Sequence, residues 1–600
     1  MCRIAGIIDP YSTGNRLLDL ITKMQKSMQH GGPDDEGVYI THNGSCGLGH
    51  RRLSIIDLSS DGHQPMFNED QSISMVFNGE IYNFREIRKI LEQKGYSFFS
   101  KTDSEVIIKA YQEWGEDSFA MFNGMFAFAL EDTKKNLLYL VRDSSGIKPL
   151  YYYINNASLI FASEVRAFKT LDVSFEKNDI WEILFLTYGR LPEPYTTLKN
   201  VFMLPQGSFL KYDFNNKSHS IKKYFEFRYT NTITTRNQAI ELLRETLSAA
   251  VERHLISDSP LGIFLSGGID SSILALLAAQ KAPEHLRTLS ITFNELKYSE
   301  KKYQDLIAQK IQSRHSYYTI TEQEFNLSLA DIFKAMDQPT LDAVNTYFIS
   351  KAAKEEGLKV VLSGLGADEL LGGYPSFQRI NTIEKLKKLP SFVFSMVEPF
   401  LNYDLKKLSF LAIDDDLSTF LFLRGLFSAK TTAKLLMIDE AEVYEALKNL
   451  YLKDELKGLQ GGNKASWLET NMYMKNQLLK DSDVMSMWHS LELRVPFLDK
   501  EFIEAVLKIS PEIKFSGQPK GLLIDAFKDI LPEAIWNRPK QGFTFPFQEW
   551  MKKTDLVKDL QNSPNEEVRK LYREFTKGKI HWTRLWGFAI INSWETNTSK

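Results

Sequence analysis

"LGIFLSGGIDSSILALLAAQ", Leu261 to Gln280, decides the fold of the larger part of this 600-residue chain. An apolar run, Leu261 to Leu265, reads as a buried strand. Ser266 to Asp270 reads as a glycine turn, and the apolar residues after Ser272 read as a helix. Gly267 and Gly268 let the backbone approach an anion closely. The Ser271 and Ser272 N–H groups fall at a helix N-terminus, where the dipole favours phosphate. Asp270 is placed to reach a magnesium ion bridging phosphate oxygens. The stretch has neither a Walker A lysine nor GxGxxG spacing.

Working outward, "RNQAIELLRETLSAAVERHLI" (236–256) is an amphipathic helix, and "RTLSITFN" (287–294) and "LKVVLSG" (358–364) are further buried strands. Strands alternating with helices predict an α/β unit with a parallel sheet covered by helices. Beyond about residue 376 the pattern is helical. The first ~210 residues differ, with short β-type runs punctuated by Gly, Asn and Asp and only two helical segments, so they predict a β-rich α+β unit. The polar stretch 213–224 reads as a boundary or hairpin. Two units are expected, 2–212 and 236–600.

Composition sets limits. With 43% hydrophobic residues, 25% charged and a net charge of −3, the chain is an ordinary globular one, with no basic excess to suggest nucleic acid. Cys2 and Cys46 are the only cysteines, which excludes a disulfide scaffold and predicts a reducing, cytoplasmic setting. "MCRIAGIIDP" lacks the features of a signal peptide. The most apolar later stretch, Phe410 to Phe427, is broken by Asp414 to Asp416 and Arg424, short of the roughly 20 apolar residues of a spanning helix. No membrane partner is expected.

Cys2 stands where removal of Met1 would leave a free α-amine and a thiol on one residue. That amine, with a pKa of about 7.7–8.0, can take the thiol proton without a histidine. "MCRIAGI", "HRRLSIIDLSSDGHQPM" (50–66), "FNGEIYN" (77–83), "KTDSEV" (101–106) and "VRDSSGIKPLYYY" (141–153) follow in register. Together they resemble the glutaminase domain of class II, N-terminal-nucleophile (Ntn) amidotransferases, whose fold stacks antiparallel sheets between helices. The resemblance implies that Cys2 attacks glutamine. Asn78 and Gly79 would form the oxyanion hole, Arg52 would bind the glutamine carboxylate, and Glu80 and Asp103 its ammonium. One departure is visible: the family's His-Arg-Gly-Pro-Asp is His30-Gly31-Gly32-Pro33-Asp34 here. Cys46 reads as a small structural residue.

"FLSGGIDSS" resembles the pyrophosphate loop of ATP pyrophosphatases, with an adenine-nucleotide α-hydrolase-like fold. "VLSGLGADELLGGY" (361–374), "DVMSMWHSLELRVPFLDKEF" (483–502) and "KGLLIDAF…RPKQGFTFPFQEW" (from Lys520) resemble the synthetase domain of glutamine-dependent asparagine synthetases. By that resemblance Leu265, Ser266, Gly267, Gly268, Asp270, Ser271, Ser272, Ile291, Ser363 and Gly364 line the ATP site. Asp270 and Asp368 hold Mg2+, and Lys520 stabilises charge during adenylation and ammonia attack. Ammonia then needs a water-free route between the units. Dimers are common in the family.

The acceptor is less defined. The compared synthetases carry Glu where Leu365 stands, and "DQPTLDAVNTYFIS" (337–350) offers no Arg or Lys for a second carboxylate. Three functions stay open: aspartate amidation, amidation of another carboxylate (surface sugar, peptide or secondary metabolite), and a catalytically silent interaction protein.

Overall fold

The computed structural model describes residues 2–41, 44–282, 286–397, 402–453, 455–539 and 545–598. The first part is built on two antiparallel six-stranded sheets. One runs in the order Val201–Met203, Tyr151–Asn155, Ser158–Ala162, Arg3–Ile8, Cys46–Arg52, Asp35–Ile40. The other runs Ser218–Lys223, Ser208–Asp213, Leu137–Arg142, Gly124–Asp132, Ile73–Ile81, Met66–Phe67.

The two-residue alternation of strands explains the layering. On Arg3–Ile8, Ile4 and Ile8 join Leu48, Val76, Ala127 and Leu140 between the sheets. Ala5 and Ile7 point the other way, onto Leu17, Ile21 and Met24 of helix Gly14–Ser27. Burying each of those three helix side chains contributes about 1.5–3 kcal/mol. The outer face of the second sheet packs Phe126 and Phe128 against Ile87, Leu91, Ile107 and Tyr111 of helices Phe84–Gln93 and Asp103–Trp114. The result is helix, sheet, sheet, helix, as the Ntn reading expected. Cys46 is a buried free thiol in the middle layer. The 213–224 stretch is a hairpin, so the second sheet continues through Lys223.

The second part holds a five-stranded, wholly parallel sheet ordered Arg314–Ile320, Arg287–Phe293, Leu261–Phe264, Val360–Leu362, Glu492–Arg494. The chain passes first to one side of Leu261–Phe264 and later to the other. This reversal opens a crevice at the C-terminal ends of the strands, where ligands bind in such sheets.

The helical remainder has its own core, and it takes in a helix from the first part. Trp181–Tyr188, "WEILFLTY", is apolar except at Glu182 and Thr187, and every residue of it but Glu182 is buried. Phe185, Leu186 and Tyr188 pack with Phe420, Trp586 and Ile590. The two parts are therefore clamped together by a helix of one inside the core of the other. Among the described residues no helix is long and apolar enough to cross a membrane.

Candidate active sites

A cavity of about 700 Å³ opens at the crevice of the parallel sheet. Its wall includes Leu265 and Ile291 from strand ends, Ser266, Gly268, Asp270 and Ser271 from the glycine loop, and Ser363, Gly364, Asp368 and Lys520. Residues separated by more than 250 positions thus meet in one wall.

Two of the expected wall residues sit elsewhere. Ser272 is fully buried, and its N–H bonds the Gly268 carbonyl (3.1 Å), so it closes the first helical turn instead of facing a phosphate. Gly267 is off the wall as well. Its φ of 78° needs a glycine, and its carbonyl accepts the Arg538 Nη2 donor at 2.9 Å. Arg538 also pairs with Glu300 (2.8 Å), lies over Tyr303 and lines the cavity, fastening the loop from outside. The motif 538–550 contained this arginine, but nothing in its spacing showed that it reaches Gly267. Residues 540–544 of that motif lie outside the described residues.

Lys520 binds Asp270 and Asp368 at 2.5 Å each. One ammonium spans both carboxylates, which brings them close enough for a single cation to bridge. Burial works against the Lys520 charge, but Asp270 and Asp368 outweigh it and hold its pKa above the ordinary lysine value. Lys520 also has φ 58°, a left-handed conformation that a side chain adopts only where its surroundings impose it. The glycines of 361–374 make the room. A Cβ on Gly373 would lie 1.7 Å from Asp368 Oδ1 and 2.6 Å from Lys520 Cε, and one on Gly364 would lie 2.9 Å from Asp270 Cβ. The two oxygen donors suit a hard divalent cation bound together with substrate phosphates.

At the other site, Cys2 is buried, and its nitrogen, the α-amine once Met1 is removed, points at Asn78 Oδ1 (3.2 Å). Burial raises the thiol pKa. Asn78 Nδ2 is buried without a hydrogen-bond partner, a donor available to a developing oxyanion. Gly79 lies against the neighbouring strand, where a Cβ would come within 2.1 Å of the Met125 carbonyl oxygen. Arg52 donates to the carbonyls of Ser59 (2.8 Å) and Asp57 (2.5 Å), holding the loop that follows it. The Asp103 carboxylate accepts from the Ile81 N–H (2.8 Å), and burial pushes its pKa up to about 6. Burial, then Glu492 and Asp103, raise Glu80 well above the carboxylate range. The Gly31 departure has a steric cause: a Cβ there would lie 2.7 Å from Arg3 Cγ. Arg3 fills that space, pairing with Glu164 (2.6 Å) and with Asp483 of the second part (2.9 Å).

One strand separates the two sites. Glu492 and Arg494 are wholly buried at the edge of the parallel sheet. Arg494 bonds Glu492 (2.6 Å) and reaches Glu80 at 3.4 Å, and Glu492 acts on the Cys2 thiol. Leu493 points the opposite way and lines the 700 Å³ cavity. Around it Leu53, Ile55, Met125 and Ile147 of the first part join Leu265, Met487 and Val495 in one apolar core. The charged pair on this strand escaped the sequence reading, although "ELRVPF" was within a recognised segment. A charge on an edge strand gives no sign of being covered until the other domain is in place.

Leu365 lines the cavity and packs on this same apolar core. Segment 337–350 contributes Asp342, Asn345 and Thr346 to the wall, and Asp481 completes that side. Arg190 of the first part forms a backbone bridge with Thr340, while its guanidinium donates to the Tyr188 carbonyl.

The family described as asparagine synthase matches residues 242–596, and the glutamine amidotransferase domain matches residues 1–225. The chain is similar to glutamine-hydrolysing asparagine synthetase 1 of Bacillus subtilis strain 168, at 32% identity covering 97% of this chain and 91% of the relative. It is similar to glutamine-hydrolysing asparagine synthetase 3 of the same organism, at 28% identity over 93% and 91%. Asparagine synthetase B of Escherichia coli K12 is 27% identical over 96% and 90%. The chain belongs to the asparagine synthase family, as an ATP-dependent carbon–nitrogen ligase of the glutamine-hydrolysing type with glutamine as its amide donor.

Proposed function

We propose that this enzyme converts aspartate to asparagine. Cys2 hydrolyses glutamine, and the ammonia attacks a β-aspartyl-adenylate formed from ATP, releasing AMP and pyrophosphate. The observation that carries this reading is the shared strand: Arg494 reaches Glu80 of the glutaminase half at 3.4 Å, and Leu493 lines the nucleotide cavity. Ammonia crossing beside Leu493 would stay among apolar side chains and remain unprotonated, hence nucleophilic.

In the glutaminase half, Arg52 takes the glutamine carboxylate, and Glu80 and Asp103 its ammonium. The Cys2 thiol passes its proton to its own α-amine and attacks the side-chain amide. Asn78 Nδ2 and the Gly79 N–H receive the oxyanion. In the synthetase half, Ser266, Gly268, Ser271, Ser363 and Gly364 surround the nucleotide, with Leu265 and Ile291 as apolar wall. Asp270 and Asp368 would hold Mg2+, which neutralises phosphate charge when bound. Lys520 stabilises the charge that develops on phosphate and acyl oxygens.

The Asp103 reading predicts a pH dependence. Below about pH 6 this carboxyl gains a proton and loses its attraction for an ammonium. The KM for glutamine is therefore expected to rise about fivefold between pH 6 and 5 and about tenfold per pH unit below that, and Asp103→Asn is expected to flatten that limb. An unchanged KM across the range would remove Asp103 from glutamine binding.

A second reading, amidation of a different carboxylate, is favoured by Leu365, which cannot accept a proton or orient ammonia. Pyrophosphate release with ATP, magnesium and glutamine, measured with and without aspartate, separates the two. Aspartate-stimulated release with asparagine formed supports the first. No stimulation and no asparagine exclude it. A gain with aspartate on Leu365→Glu would favour the second.

A further inference from the structure

We propose that Arg494, carried by the synthetase part, is a positioning residue of the glutamine pocket: its fixed charge lets Glu80 take up the ammonium of glutamine. The inference rests on the reading of Glu80 and Asp103 as the holders of that ammonium. It makes the glutaminase site complete only when the parallel sheet stands beside it.

The sheet decides where this guanidinium stands. Arg494 pairs in register with Leu362, and its carbonyl accepts the Ser363 N–H at 2.8 Å. The side chain is fastened by groups of its own part. Nε donates to Glu492 (2.6 Å), and Nη1 donates to the carbonyls of His254 (2.8 Å) and Ile256 (2.6 Å). Nη2 makes no hydrogen bond and reaches the Glu80 carboxylate of the first part at 3.4 Å. Both side chains are buried, so water screens the pair little. Among the described residues no other lysine or arginine forms an ion pair with Glu80.

The charges around Glu80 show what this cation does. Facing Glu80 are Asp103 from helix Asp103–Trp114, Glu492 and Arg494 from the strand, the N-terminal amine and the Tyr82 phenol. Burial, Glu492 and Asp103 favour the protonated form of Glu80, whereas Arg494 and the N-terminal amine oppose them. A protonated carboxyl has no charge to offer an ammonium, so glutamine binds at the expense of that proton. Arg494 lowers the cost of releasing it. The KM for glutamine accordingly rises as the pH falls through the titration of Glu80.

The test is glutaminase kinetics of the full chain against pH, with glutamine and with its amine-free counterpart, glutaramate. A nearby opposite charge shifts a carboxyl by about one to two units, so Arg494→Met is expected to raise the KM for glutamine at neutral pH by about 10–100-fold. The rise in KM is expected to move to higher pH. Arg494→Lys keeps a charge and is expected to restore most of the loss. Glu492→Gln removes a carboxylate that opposes ionisation of Glu80, so there the rise is expected to move to lower pH. With glutaramate, which has no ammonium to place, the loss in Arg494→Met is expected to disappear. An unchanged glutamine KM in Arg494→Met overturns the proposal. So does an equal loss with glutaramate, or a shift of both variants in the same direction, either of which would leave Arg494 a packing role only. If Arg494→Met does not fold, the direction of the Glu492→Gln shift decides alone. The ammonium reading fails separately, and the inference with it, if the unmodified enzyme hydrolyses glutaramate as well as glutamine.

Discussion

Cys2→Ala is expected to lower glutamine-dependent amide synthesis by about 10⁴-fold or more, the scale of losing a nucleophile that works as one unit with its base. Ammonia-dependent synthesis is expected to persist. Asn78 Oδ1 receives the Cys2 nitrogen, and Asn78 Nδ2 is left without a partner. Alanine removes the attacking atom without disturbing that hydrogen bond, because the bond uses the backbone nitrogen. The nucleotide cavity lies across the Glu492–Arg494 strand and takes nothing from residue 2. The measurement is product formation with glutamine and with ammonium chloride, side by side. Retained glutamine use would remove Cys2 from the chemistry. Loss with both nitrogen sources would mean that the substitution damages the interface, where the adjacent Arg3 pairs with Asp483.

Lys520→Met is expected to have the complementary effect, lowering pyrophosphate release by about 10³-fold while glutamine hydrolysis remains. Lys520 is the shared partner of Asp270 and Asp368. Removing it takes a positive charge from the place where phosphate and acyl oxygens gain negative charge. It also leaves two carboxylates without their shared cation. Lys520→Arg is expected to rescue little, since a planar fork cannot replace a compact ammonium between two nearby acids. Glutaminase rate and pyrophosphate release, assayed on the same preparations, check this. Adenylation surviving in Lys520→Met would leave the lysine a structural role only, as the fixed point of its left-handed turn.

The parts of the fold that could be read in advance are those set by neighbours in sequence. Alternation on Arg3–Ile8 sends Ile4 and Ile8 to one layer and Ala5 and Ile7 to another. A strand, two glycines and a helix start within twenty residues of Leu261 define the nucleotide loop. Even there the detail depended on hydrogen bonds: Ser272 turned out to close the helix, and Gly267 to face Arg538.

The amino-acid sequence by itself determined the two kinds of domain and singled out the candidate nucleophile at position 2 and the candidate acids and lysine of the nucleotide cavity, because each is carried by a short motif whose spacing suits one chemistry. Tertiary structure alone decided what joins them. Arg3 meets Asp483, Glu80 meets Arg494, and Arg190 forms a backbone bridge with Thr340 and lines a small cavity with Asp481. Coulomb attraction and desolvation depend on distance in space and on what excludes water. Residues hundreds of positions apart acquire both only when the domains close on each other.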